Sequence, residues 1–119
     1  MSWEVEYTDE FGSWWDSLAE GEQDRVAVAV GVLEANGPAL GRPWVDTLER
    51  SQHANLKELR PRGGHLRILF AFDPRRIAIL LLGGDKSGEW AAWYEHAIPA
   101  ADRLYDEHLT ELRDEGTLP

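Results

Sequence analysis

From residue 55 to residue 86 the chain alternates between apolar runs and turn signals. Gly63-Gly64 and Asp73-Pro74 separate three such runs. Residues 55–60, 66–72 and 77–82 are therefore predicted as consecutive antiparallel strands of a meander. In the middle run Leu66, Ile68, Phe70 and Phe72 alternate with Arg67, Leu69 and Ala71, the period of a strand with one face on a core. Arg67 then projects from the opposite face. The third run, Ile77-Ala78-Ile79-Leu80-Leu81-Leu82, has no polar residue, which places it in the sheet interior with both faces covered.

Upstream, Trp3, Val5 and Tyr7 alternate with Glu4 and Glu6, predicting a first strand over 3–7. Thr8 is a helix N-cap candidate, followed by Asp9 and Glu10, where the helix dipole favours anions. Phe11, Trp14 or Trp15, and Leu18 recur at helical spacing and define a short first helix. A second helix is predicted over about residues 22–36, stopped by Asn36-Gly37-Pro38. The short connection between the two implies a helix hairpin packed on the sheet. Residues 37–54 read as a long connection with a helical turn near 45–48, pinned by Trp44 and Leu48. From about Glu89 a helical pattern resumes, and Pro99 is expected to divide it, leaving a separate or kinked helix after it.

Taken together, these elements predict an α+β domain over residues 1–119. It has a small, mostly antiparallel four-stranded sheet, an N-terminal helix hairpin and a C-terminal helix. At 119 residues the chain has room for one core and not two. Six tryptophans are a heavy load for it, and some are expected at an interface.

Charge changes the picture. The net charge of −10 excludes a protein that finds nucleic acid through its overall field. Yet seven of the 12 Lys and Arg (Lys57, Arg60, Arg62, Arg67, Arg75, Arg76 and Lys86) lie within 55–86, beside only three acids. Any polyanion site must be local to the meander. Without cysteine there is no disulfide, thiol nucleophile or thiolate metal site. No His/Asp/Glu spacing matches a metal motif, so no metal or other cofactor is expected. The opening residues have neither a basic nor an apolar leader, and no apolar run is long enough to cross a membrane; a cytoplasmic protein is the expectation.

The element order, with Leu-Lys-Glu-Leu-Arg (56–60) before a turn, Leu-Arg-Ile-Leu-Phe (66–70) after it, and Gly83-Gly84-Asp85-Lys86 downstream, resembles the RelE/ParE superfamily of bacterial toxins, and within it the HigB-like, phage-derived branch. The resemblance implies a β-α-α-β-β-β-α fold and a metal-independent endoribonuclease that cuts messenger RNA, usually on the ribosome. It also implies a partner, a small helix-turn-helix antitoxin encoded beside the toxin. Another branch inhibits DNA gyrase instead, and a non-catalytic module that only sequesters such a partner is a third possibility. Relatives with the nuclease activity are generally basic, and this chain departs from that.

Cleavage without metal uses the RNA's own 2′-hydroxyl as nucleophile. It needs a proton acceptor, a proton donor for the leaving 5′-oxygen, and cations for the phosphorane. Arg67 matches the family's strand-borne arginine and is suited to clamp phosphate through its planar fork. Lys57 and Lys86 match positions where basic side chains flank the scissile phosphate. His65, two residues before Arg67, is an acid/base candidate, as are Tyr94 and His96 at the start of the last helical region. Arg60, Arg62, Arg75 and Arg76 are candidate RNA contacts, although strand alternation puts Lys57 and Arg60 on opposite faces. Each also has a plainer reading: a strand arginine is often ion-paired, turn arginines are often solvated, and His53 and His108 are expected to be structural. Trp90 and Trp93 could stack on bases, but tryptophans at i and i+3 on a helix more often pack a core or a partner.

Overall fold

The computed structural model describes residues 2–85, 87, 88 and 90–118. Strand β1 (Val5–Tyr7) leads into helix α1 (Asp9–Ser17) and then α2 (Glu20–Asn36). A single 3-10 turn (Gly37–Ala39) follows. After it come β2 (Val45–Thr47), β3 (Leu56–Leu59), β4 (Leu66–Phe72), β5 (Ala78–Asp85) and helix α3 (Trp90–Asp114). The sheet order is β1-β5-β4-β3-β2; β1 runs parallel to β5 and every other pair is antiparallel.

Local chemistry accounts for most boundaries. The Thr8 hydroxyl accepts from the Phe11 backbone N–H (3.1 Å) and so caps α1, while it donates to the Leu81 carbonyl (2.6 Å) and ties the helix start to the sheet. Helix α2 opens with the Glu22 carboxylate accepting from the Ala19 N–H (3.0 Å). The meander forms as predicted, with β5 between β1 and β4.

Three expectations need correction. The sheet has five strands, because residues 45–47 pair with β3 rather than forming a helical turn: Val45 opposite Leu59 buries an apolar side chain that a surface turn would leave half wet. Strand β5 runs through Gly83 and Gly84 to Asp85 instead of ending at 82. Here the glycines serve close packing: a Cβ on Gly83 would lie 2.4 Å from the Trp14 ring, and one on Gly84 would lie 2.1 Å from Trp93 Nε1. Finally, α3 is continuous through Pro99. Pro99 and Glu95, whose carbonyl loses its N–H partner, are both exposed, so water can satisfy that carbonyl.

The core has two halves, one on each side of the sheet. Phe11, Val26, Ala29 and Leu33 of the helix hairpin pack on Leu59, Ile68, Phe70 and Leu80. Ala97, Ile98, Ala101 and Leu104 of α3 pack on Leu56, Leu69, Ala71, Ile79 and Leu81. With helices on both faces, residues 78–81 at the centre of the apolar run are buried whichever way they point. This three-layer arrangement also sets the site, because whatever β3 and β4 present on their second face meets α3.

Candidate functional site

Strand alternation sends Glu58, Arg60 and Arg67 to the α3 side of the sheet. There they meet Tyr94, and the four converge on the Glu58 carboxylate. Arg60 Nε donates to Glu58 Oε2 (3.0 Å), and the Tyr94 hydroxyl donates to Oε1. Arg67 Nε stands 3.8 Å from Oε1, within ion-pair range and beyond hydrogen-bond range. Glu58 is 2% exposed and the Arg67 side chain 13%.

The two arginines differ in how well they are held. Arg60 is anchored twice, its Nη2 also donating to Asp46 Oδ2 (3.2 Å). Burial lowers its pKa, and the hydrogen bond and charge of Glu58, with Asp46, more than reverse this, so it is held firmly charged. Arg67 Nη1 donates to its neighbour's carbonyl, Leu66 O (2.7 Å), but its Nε is buried with no hydrogen-bond acceptor among the described residues. A buried donor nitrogen without an acceptor is unusual, since such groups are normally satisfied. Burial, then the hydrogen bond to Glu58 and its charge, push the Tyr94 hydroxyl far above its ordinary range, so it stays a donor.

Beside this cluster lies the β4–β5 end of the sheet, where Arg67 pairs with Gly84 and Leu66 with Asp85. Hydrogen bonds from Ser87 hold the Asp85 carboxyl below its usual range, and the charges of His65 and Arg67 lower it further. His65, exposed, therefore sits at the same end as Arg67.

The remaining candidates are dispersed. Lys57 lies on the opposite face of the sheet, its ammonium 5.9 Å from the Phe72 ring, and does not flank Arg67. Lys86 lies outside the described residues. His96 is exposed on α3 two residues beyond Tyr94, a spacing that points it away from the cluster. Arg62 is exposed over Trp44, and Arg76 is exposed over Trp3 at a positive φ of 68°. Arg75, expected to be solvated or to grip RNA, is instead ion-paired with Asp73 (2.7 Å) and Glu6 (2.9 Å). Trp93 packs against the α3-side core, edge-on to Tyr94.

Two buried acids were missed in the sequence, one in the site and one in a structural turn. Glu58 was legible as sharing a face with Arg60, but its burial depends on α3 crossing above it. Asp73 reads in sequence only as a turn residue, yet its carboxylate is fully buried and collects Arg75, His108 Nε2 (2.9 Å) and the backbone N–H groups of Arg75 and Ile77. His53 and His108 have structural partners as expected, Asp106 (2.8 Å) and Asp73.

A small mixed sheet between a helix hairpin and a long C-terminal helix, carrying arginines on the meander, is the RelE-like toxin fold. The isolated RelE toxin of Escherichia coli superposes with a TM-score of 0.60 at 9% identity, over 82% of this chain and 99% of RelE. In the Mycobacterium tuberculosis RelBE2 toxin–antitoxin complex, the matching chain gives 0.57 at 20% identity, over 71% of this chain and 99% of that one. Residues 13–106 match the family model "Phage derived protein Gp49-like (DUF891)". Two M. tuberculosis proteins named as toxins are close in sequence. HigB3 is 53% identical over 103 residues, covering 87% of this chain and 90% of HigB3; HigB2 is 46% identical over 109 residues, covering 89% of this chain. The chain spans only 54% of HigB2. The protein belongs to the phage-derived Gp49-like family, with the HigB toxins as its relatives.

Proposed function

We propose that the protein is the toxin of a type II toxin–antitoxin pair and cleaves messenger RNA on the ribosome without a metal, under control of a small helix-turn-helix antitoxin. The observation that carries the catalytic part is the cluster on Glu58: a buried carboxylate with Arg60 and the Tyr94 hydroxyl on its oxygens and the partly buried Arg67 guanidinium 3.8 Å away. A cation poised beside a carboxylate supplies the charge offset and the proton acceptor that attack by a 2′-hydroxyl requires.

In this mechanism the ribose 2′-hydroxyl takes the place of the Tyr94 hydroxyl at Glu58 Oε1. Glu58 accepts the 2′ proton as the new O2′–P bond forms, and Arg67 offsets the added negative charge on the phosphorane. The P–O5′ bond breaks, and His65, exposed at the same end of the sheet, supplies the proton to the departing oxygen. Arg60 holds Glu58 in place from the side. The products are a 2′,3′-cyclic phosphate and a 5′-hydroxyl.

Expression in a bacterial host tests this. Wild-type protein is expected to arrest growth with message cleavage leaving cyclic-phosphate ends. Arg67→Ala and Glu58→Gln are each expected to reduce cleavage by ~10²-fold or more, the scale of a lost acid/base or charge-stabilising group. Arrest that persists in Arg67→Ala with intact messages and altered plasmid supercoiling would overturn the nuclease in favour of gyrase inhibition.

A further inference from the structure

Helix α2 breaks the rule that a surface helix carries one apolar stripe. From Val26 to Leu33 it has no polar residue, so it is apolar all round, yet only Val26, Ala29 and Leu33 are buried while Ala27, Val28 and Gly31 face solvent. A helix apolar on every side is ordinarily enclosed on every side. Beside it, between β1, α1 and α2, runs a groove of about 800 Å³ with Val5, Phe11, Val26 and Val30 in its lining. Among the described residues, the large apolar side chains left most exposed are Tyr7 (67%) and Val28 (60%). Tyr7 lines this groove, and Val28 stands on α2 next to Ala27, which also lines it.

The groove's rim is acidic: Asp9, Asp16 and Glu34 line it, and all three are exposed. More broadly, residues 1–41, which supply β1 and both helices of the hairpin, contain nine acids and one base, Arg25. Most of the net charge of −10 is therefore on this side. A second copy of the chain docking here would set like charge against like, which disfavours a symmetric dimer through this face.

We infer that the groove between β1, α1 and α2, together with the exposed side of α2, is the docking surface for a cationic amphipathic segment of a protein partner. Apolar residues of that segment would fill the groove, and its Lys or Arg side chains would meet Asp9, Asp16 and Glu34. This identifies a contact surface for the antitoxin and rests on the toxin reading for the partner's identity. The surface chemistry itself is independent of that reading. The site also lies across the sheet from Glu58 and Arg67, so a partner held here binds without entering the catalytic cluster.

The test is a calorimetric titration of the full chain with the purified product of the reading frame beside its gene, at low and high salt. Affinity is expected to fall as salt rises. Val28→Glu, and separately the pair Asp16→Arg with Glu34→Arg, are each expected to weaken binding by at least ~10-fold. Arg103→Glu, on the solvent side of α3, should leave it unchanged. All these positions are exposed, and thermal unfolding checks that the variants stay folded. Binding that neither variant weakens, or no binding at all, overturns the assignment; so does wild-type self-association that Val28→Glu abolishes. The two readings fail separately: a chain that binds as described but causes no growth arrest removes the toxin reading and leaves the surface. A chain that arrests growth and binds its neighbour undiminished in both variants does the reverse.

Discussion

Two buried carboxylates, Glu58 on β3 and Asp73 at the turn after β4, have the same chemistry and opposite completeness. Asp73 is saturated: two nitrogens of Arg75 at 2.7 and 2.9 Å, His108 at 2.9 Å, and two backbone N–H groups at 2.8 and 3.2 Å. Burial raises its pKa, but the hydrogen bonds from His108, Arg75 and the Ile77 backbone outweigh this and hold it low. Glu58 has Arg60 and Tyr94 in hydrogen-bond contact, while Arg67 stands off with its Nε donor unused among the described residues. The difference teaches what each is for. A network with every member satisfied rigidifies a turn, whereas a less complete one leaves its groups freer to exchange partners, which fits the catalytic role proposed for Glu58 and Arg67.

The largest effect should come from breaking the complete network. Asp73→Ala leaves Arg75 and His108 without their buried partner and is expected to destabilise the fold by about 3–5 kcal/mol in denaturant unfolding. Glu58→Gln keeps the shape and some hydrogen bonding, so a loss of about 1–3 kcal/mol is expected, with cleavage lost in the folded variant. If the two variants lose equal stability, the contrast between the clusters fails.

Acid sharpens the same comparison. Because the folded pKa of Asp73 is depressed below 3.8, its stabilisation is complete above that value and disappears as the pH falls through the lower folded one. Wild type should thus lose stability steeply below about pH 4, and Asp73→Asn should flatten that limb of an acid-unfolding profile. The smallest effect belongs to a pair outside both clusters. Arg103 and Glu107 sit 3.7 Å apart on exposed turns of α3, and Arg103→Ala should change stability by no more than about 0.5 kcal/mol.

Much of this architecture was legible because it depends on local rules. The 66–72 alternation gave the face of Arg67, Thr8 gave the helix start, and the polar-free 77–82 run gave a strand covered on both sides. What misled was Pro99, whose effect depends on whether the orphaned carbonyl meets water, and residues 45–47, whose three-residue strand has no period to detect. The site was legible by residue type and only partly by place. Alternation already separated Lys57 from Arg60, and the structure extends that separation to Arg67.

The amino-acid sequence by itself determined the order of elements, the direction in which each strand residue points, and the excess of acid in the N-terminal hairpin, because periodicity, capping and charge are properties of neighbouring residues. Only the tertiary structure decided that α3 crosses above β3 and β4. That crossing buries Glu58, brings Tyr94 from 36 residues away onto its carboxylate, and leaves Arg67 beside them at ion-pair distance. Burial and long-range pairing depend on what covers a face, and no local pattern encodes the covering element.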